Sequence, residues 1–197
     1  PSDPGVNSAF LKSWESSFKG DGFDFDYHLM WDHFKDPGQV ASSRVLHEDI
    51  RRLSDLGLNG LVSCQVQRVF FPTALSMVTM GRTLWDADLN FDDIMRDHLS
   101  DSFGKLGDEV GVFLTQMSVL FDPPLLRGEK DDTARKVAPE ALARVREATS
   151  IMRPHVAVGI QDQVPAVRKS WEYLAAYLDL CELLADAFSA HYAQTDD

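Results

Sequence analysis

The chain has 197 residues, 44% of them hydrophobic and 25% charged, and a formal net charge of −12. Such a chain is long enough for one globular domain or one and a half. The acidic balance argues against nucleic acid or an anionic membrane as a partner, and no apolar run approaches the ~20 residues of a membrane helix.

In chain order, Phe10, Trp14 and Phe18 recur at spacing four and predict a short amphipathic helix. A turn at Lys19–Gly22 follows. From Phe23 to Leu29, Phe23, Phe25, Tyr27 and Leu29 alternate with Asp24, Asp26 and His28, the period of a two-faced strand. Asp36-Pro37-Gly38 reads as a loop. Ser42 or Ser43 can cap a helix to Leu56 whose apolar stripe is Val45, Leu46, Ile50, Leu53 and Leu56, with Gly57 as its stop. Gly57 to Cys64 reads as a second strand. Strand, helix, strand is the grammar of a parallel pair.

Everything downstream reads as helical. Pro72 suits the first turn of a helix reaching Trp85. Asn90 or Asp88 can cap the next, which ends at Gly104. Val110–Phe121 is stopped by Asp122-Pro123-Pro124, and 125–138 is polar enough to read as a loop. Helices from Pro139 to Met152 and from Val164 to Tyr192 complete the chain, the last with Trp171, Leu174, Tyr177, Leu178 and Cys181 on one face. Two parallel strands cannot form a stable sheet alone, because parallel sheets persist with several strands and both faces covered. Either the rest of the sheet lies on another chain, or this chain is the end of a larger barrel. The second alternative is the expectation: an α/β fragment, the last strand–helix–strand unit of a (β/α)8-type barrel over 1–86, followed by a mostly helical region over 87–197.

Ligands of parallel α/β proteins bind beyond the carboxyl ends of the strands. There the sequence places Trp31, Asp32 and His33 after the first strand, and Gln65, Gln67 and Arg68 after the second. An aromatic plate, a carboxylate, an imidazole, two amides and a guanidinium suit a polyhydroxylated ligand. Each also has a structural alternative: Trp31 in a core, Asp32 paired with Arg68, the QxQR run in a buried polar network. His28 and His33 with Asp32 read as satisfied structural histidines rather than metal ligands, and no metal is expected. Glycoside hydrolysis needs two carboxyl groups, and Asp26 and Asp32 are the acids near this rim, with Asp32 the one candidate for a catalytic role. No GxSxG, P-loop, dinucleotide glycine fingerprint or HExxH occurs, and no cofactor is expected. Cys64 and Cys181, the only cysteines, read as buried thiols. No signal peptide is read, and the start at Pro1 reads as a processed, engineered or truncated product, expected to be soluble and leaning to the cytoplasm.

The segments YHLMWDHFKDPG (Tyr27–Gly38), VLHEDIRRLSDLGLNGLVSCQVQRVFFPTAL (Val45–Leu75) and TLWDADLNFDDIMRDHLSDSFG (Thr83–Gly104) resemble the C-terminal part of a bacterial family of unknown function. Members of that family resemble glycoside hydrolases of the α-glucuronidase and hexosaminidase kind, in which a (β/α)8 barrel runs into a helical region. The resemblance covers roughly 23–121. It implies a carbohydrate-active or carbohydrate-binding protein, with Trp31, Asp32, His33, Gln65, Gln67 and Arg68 at cleft positions. The first six strands of such a barrel are absent, and the acid and base usually come from earlier or middle strands. The chain alone is therefore expected to be inactive. Its expected partners are a carbohydrate and the remainder of the barrel or a partner chain. The alternative is a helical protein-interaction module without catalytic activity, whose partner covers the last helix and the two-stranded edge.

Overall fold

The structure, a computed structural model, describes residues 4–27, 29, 35–64 and 70–193. Helix α1 spans Pro4–Trp14, strand β1 Phe23–Asp26, helix α2 Val40–Arg51, strand β2 Gly60–Ser63 and helix α3 Leu75–Trp85. Then follow α4 (Phe91–Phe103), α5 (Gly107–Phe121), α6 (Pro123–Leu126), α7 (Asp132–Ala143), α8 (Val145–Gly159) and α9 (Pro165–Ala193).

The strands β1 and β2 pair in parallel, Phe23 opposite Gly60 and Asp26 opposite Ser63, as a connection through a helix requires. The expectation of a barrel end followed by a helical region is not met: the protein is a mostly helical domain. Two observations overturn it. A parallel barrel strand is covered on both faces, yet Phe23, Phe25 and Val62 are 64%, 58% and 53% exposed. The helical part is also not an appendage. Val40 of α2 and Leu75 of α3 belong to the same buried cluster as Leu114, Met117, Trp171 and Leu178. A smaller cluster of Leu29, Leu46, Ile50 and Leu53, joined by Leu58, Leu61, Met77 and Met80, ties the sheet to α2 and α3.

Local chemistry explains most boundaries. Asn90 caps α4 by accepting from the Asp92 N–H, and Gly104 ends that helix at φ 65°, a conformation that favours glycine. Helix α3 starts three residues later than Pro72, where the Thr73 hydroxyl accepts from the Leu75 N–H. Helix α2 starts before Ser42, at Val40, with Gln39 in the left-handed region at φ 62°. Gly57 stops a short 3-10 turn, Ser54–Leu56, rather than α2 itself. The polar stretch 125–138 is not a loop: it contains α6 and the first half of α7, whose N-terminus is capped by Asp131 accepting from the Ala134 N–H. Pro139 lies inside α7 instead of starting it.

The principal core is helical. Its axis is α9, which buries Trp171, Leu174, Tyr177, Leu178, Cys181 and Ala185. Gly159 lets α8 approach it, since a Cβ there would run into the Trp171 ring. Across the same interface Thr149 donates to Glu182 at 2.7 Å, Arg153 reaches Asp179 and Glu182 at 2.8 Å each, and Arg146 reaches Asp186 at 2.5 Å.

Candidate functional site

The carboxyl ends of β1 and β2 form the rim where a parallel pair would bind a ligand. Trp31, Asp32, His33, Gln65, Gln67 and Arg68, together with His28, lie outside the described residues. The rim itself is described through Asp26, Ser63 and Cys64. The Asp26 side chain is 7% exposed, the Ser63 hydroxyl donates to it at 3.4 Å, and the Cys64 N–H donates to the Asp26 carbonyl at 2.9 Å.

Asp36, read in sequence as part of a loop, proves to be a fully buried carboxylate at the start of α2. Its Oδ1 accepts from the Ser118 hydroxyl of α5 at 2.6 Å, and its Oδ2 accepts from the Ser42 N–H at 2.7 Å. The Ser118 oxygen in turn accepts from the N–H groups of Val40 and Ala41, at 3.2 and 3.3 Å. The open N–H groups of a helix start are thus satisfied by two side chains, one of them from a distant helix. Gly38 permits this approach, since a Cβ there would collide with the Leu114 carbonyl and with Ser118. Beside it Thr73 donates to the Gln39 amide oxygen and the Gln39 amide donates to the Phe71 carbonyl, both at 3.0 Å. Ser43 and Ser76 share a hydrogen bond of 2.9 Å. The set is closed: donors and acceptors point at one another rather than into a cavity. It is a latch between α2, α3 and α5. The one sequence signal for it is an Asp-Pro-Gly ahead of a helix that lacks a side-chain cap of its own.

Burial shifts several titratable groups elsewhere. Burial pushes the Tyr177 phenol well up and the Cys181 thiol up to about 12. Burial holds the His98 imidazole below its ordinary value, with Asp101 partly opposing. Among the described residues no group of three or more His, Cys, Asp or Glu side chains is placed to hold a metal ion.

What the described surface does present is apolar. Alternation along β1 and the register with β2 put Asp24, Asp26, Leu61 and Ser63 on the inward face, and Phe23, Phe25 and Val62 on the outward face. Phe25 and Tyr27 meet edge to face at 5.1 Å between ring centres. Helix α1 adds Val6, Phe10 and Trp14, and the turn after it adds Phe18, spaced four apart and each more than half exposed. No third strand pairs with either edge among the described residues.

Comparison with models of protein families, with curated proteins and with solved structures returned no match. Nothing in these comparisons bears on the resemblance of 23–121 to a glycoside hydrolase-like family.

Proposed function

We propose that this chain is a helical interaction module that self-associates through α1 and the outward face of its two-stranded sheet. The observation that carries the reading is the direction of the strand alternation. The aromatic side of β1 faces water while its carboxylates face inward. Burial of apolar area is the main favourable term in folding and association, so covering the outer face of a strand so arranged is favourable. The exposed aromatic residues of α1 and the turn after it, Phe10, Trp14 and Phe18, and those of the β1 segment, Phe23, Phe25 and Tyr27, expose roughly 700 Å² in total if each offers about 200 Å² when free. A standard interface needs about 800 Å² per partner, and single apolar patches on monomers are typically about 300–600 Å². A second copy is the occupant with matching chemistry. The sheet face is uncharged, because Asp24 and Asp26 point away from it, and a two-fold contact sets such a patch against itself.

Sedimentation equilibrium from nanomolar to high micromolar concentration tests this. The expected result is a reversible dimer, with Phe25→Asp raising the dissociation constant about a hundredfold and the helical circular dichroism unchanged. A monomer across the whole range refutes self-association.

Carbohydrate binding is a second proposal. It is supported by the resemblance of 23–121 and by the buried Asp26 carboxylate at the strand ends. Arg68→Ala should then weaken binding of an acidic oligosaccharide more than a neutral one. No binding of either by the unsubstituted chain would exclude it.

A further inference from the structure

A second surface, built by α4, α5 and α8, has a different character. Two hollows flank α5, one of about 420 Å³ against α4 and one of about 350 Å³ against α8. Val112 lines both and is 70% exposed, standing as a ridge between them. Ile151 of α8 lines the second hollow and is 62% exposed, over a floor that includes the buried Phe113 and Met152. At the lip stand Asp108, shared by both hollows, and Glu109. Neither takes part in an ion pair among the described residues, whereas the nearby Asp92 is held by Arg44 and Arg96 by Asp93. The His155 Nδ1, in the wall of the second hollow, is buried without a hydrogen-bond partner among the described residues.

We infer that this surface receives a basic amphipathic helix from a partner protein, its apolar side chains entering the two hollows on either side of Val112 and its Lys or Arg side chains meeting Asp108 and Glu109. Acidic residues in a first turn also suit the helix dipole. That accounts for their type, but not for the bare valine and isoleucine beside them. A compact molecule fills one hollow, whereas a helix presents apolar side chains three and four apart and spans both. The charge of the occupant follows from the two uncompensated carboxylates at the lip and from the net charge of −12.

The test uses the full chain and two synthetic amphipathic helices, one of Leu and Lys and one of Leu and Glu, followed by fluorescence anisotropy. The Lys peptide is expected to bind at one per chain and the Glu peptide not at all. Reversal of the lip, Asp108→Lys with Glu109→Lys, should weaken the Lys peptide about tenfold or more. The same change of net charge at other exposed positions, Asp55→Lys with Glu140→Lys, should leave it within about twofold. Val112→Arg, at a position open to solvent, should cost at least as much as lip reversal. Equal weakening by both charge reversals would reduce the binding to general electrostatics and overturn the inference. So would undiminished binding by Val112→Arg. A single-chain alkylammonium below its micelle threshold that competes fully with the peptide, with the same dependence on Val112, would assign the hollows to a small amphiphile instead.

Discussion

Removing the Ser118 hydroxyl should be among the costliest single-atom changes in this protein. Ser118→Ala deletes an oxygen that donates to Asp36 at 2.6 Å and accepts from the Val40 and Ala41 N–H groups at 3.2 and 3.3 Å. Two backbone donors and one carboxylate oxygen lose a partner together. Asp36 and Val40 are buried, and the space left by one hydroxyl is too small to admit a water in its place. Leaving a buried polar group unpaired costs about 1–3 kcal/mol, with charged groups at the upper end. Allowing for partial relaxation of the helix start, the sum is about 3–5 kcal/mol, a large share of the ~5–15 kcal/mol that holds a domain folded. Urea unfolding followed by far-ultraviolet ellipticity measures this, provided the slope is unchanged. Ser42→Ala is the control, since its hydroxyl makes one longer bond, 3.3 Å, to the Gln39 carbonyl. It should cost under about 1 kcal/mol. A double-mutant cycle with Asp36→Ala should show coupling of about 1.5–3 kcal/mol. A Ser118→Ala cost below about 1 kcal/mol, or an additive cycle, would refute the latch.

Two further outcomes follow from the buried titratable groups. Cys181 is fully buried with its thiol raised to about 12, so about one molecule in ten thousand carries the thiolate at pH 8, whereas Cys64 is half-buried. A disulfide reagent should therefore label Cys64 in the native chain, and Cys181 only on unfolding. Rapid native labelling at Cys181 would contradict the core packing around α9. Stability should also fall on the acid side in two stages. Burial holds His98 below its ordinary 6.5, so its contribution is complete above that pH and is lost as the pH falls through its lower folded value. The hydrogen bonds from Thr149 and then Arg153 hold Glu182 below its ordinary 4.5, and its contribution is lost in turn as the pH drops further. Measured against pH, the unfolding free energy of His98→Leu should lack the upper stage and that of Glu182→Gln the lower one. Unchanged profiles in both variants would contradict these assignments.

How far the sequence could be read depended on whether the deciding partner was local. The cap of α4 at Asn90, its end at Gly104 and the inward face of α9 were legible because each is written in residues one to four apart. The parallel pairing of β1 and β2 followed from the helix between them. The first half of α7, 132–138, reads as loop because its inward positions are Ala134 and Ala138, whose small side chains give little periodic signal, with Arg135 and Lys136 beside them. The start of α2 was misplaced because its cap comes from Ser118, 78 residues away from Val40. The barrel expectation failed for a different reason. The rule that two parallel strands need company is sound, but it does not say whether the company is more strands or a docked surface. The candidate ligand residues Trp31, Asp32, His33, Gln65, Gln67 and Arg68 lie outside the described residues, and Asp26 is the acid of that reading that the structure places at the rim.

The outward aromatic face sharpens that choice. A one-residue slip of β1 against β2 would turn Phe23 and Phe25 inward and expose Asp24 and Asp26, the arrangement expected of a half-buried strand in water. The observed register is fixed from the other side. Leu61, opposite Asp24, packs with Leu46, Ile50 and Leu53, and Ser63 is hydrogen-bonded to Asp26 opposite it. The strand therefore keeps its aromatic side in water at a cost the isolated chain does not recover. On the proposal of self-association, a second copy covers the face and offsets that cost. This is why Phe25→Asp serves as a clean probe. Phe25 is solvated in the monomer, so its removal takes little from the fold of one chain. Its effect should fall on association, and a matching loss of monomer stability would place the ring in a core that the observed packing does not contain.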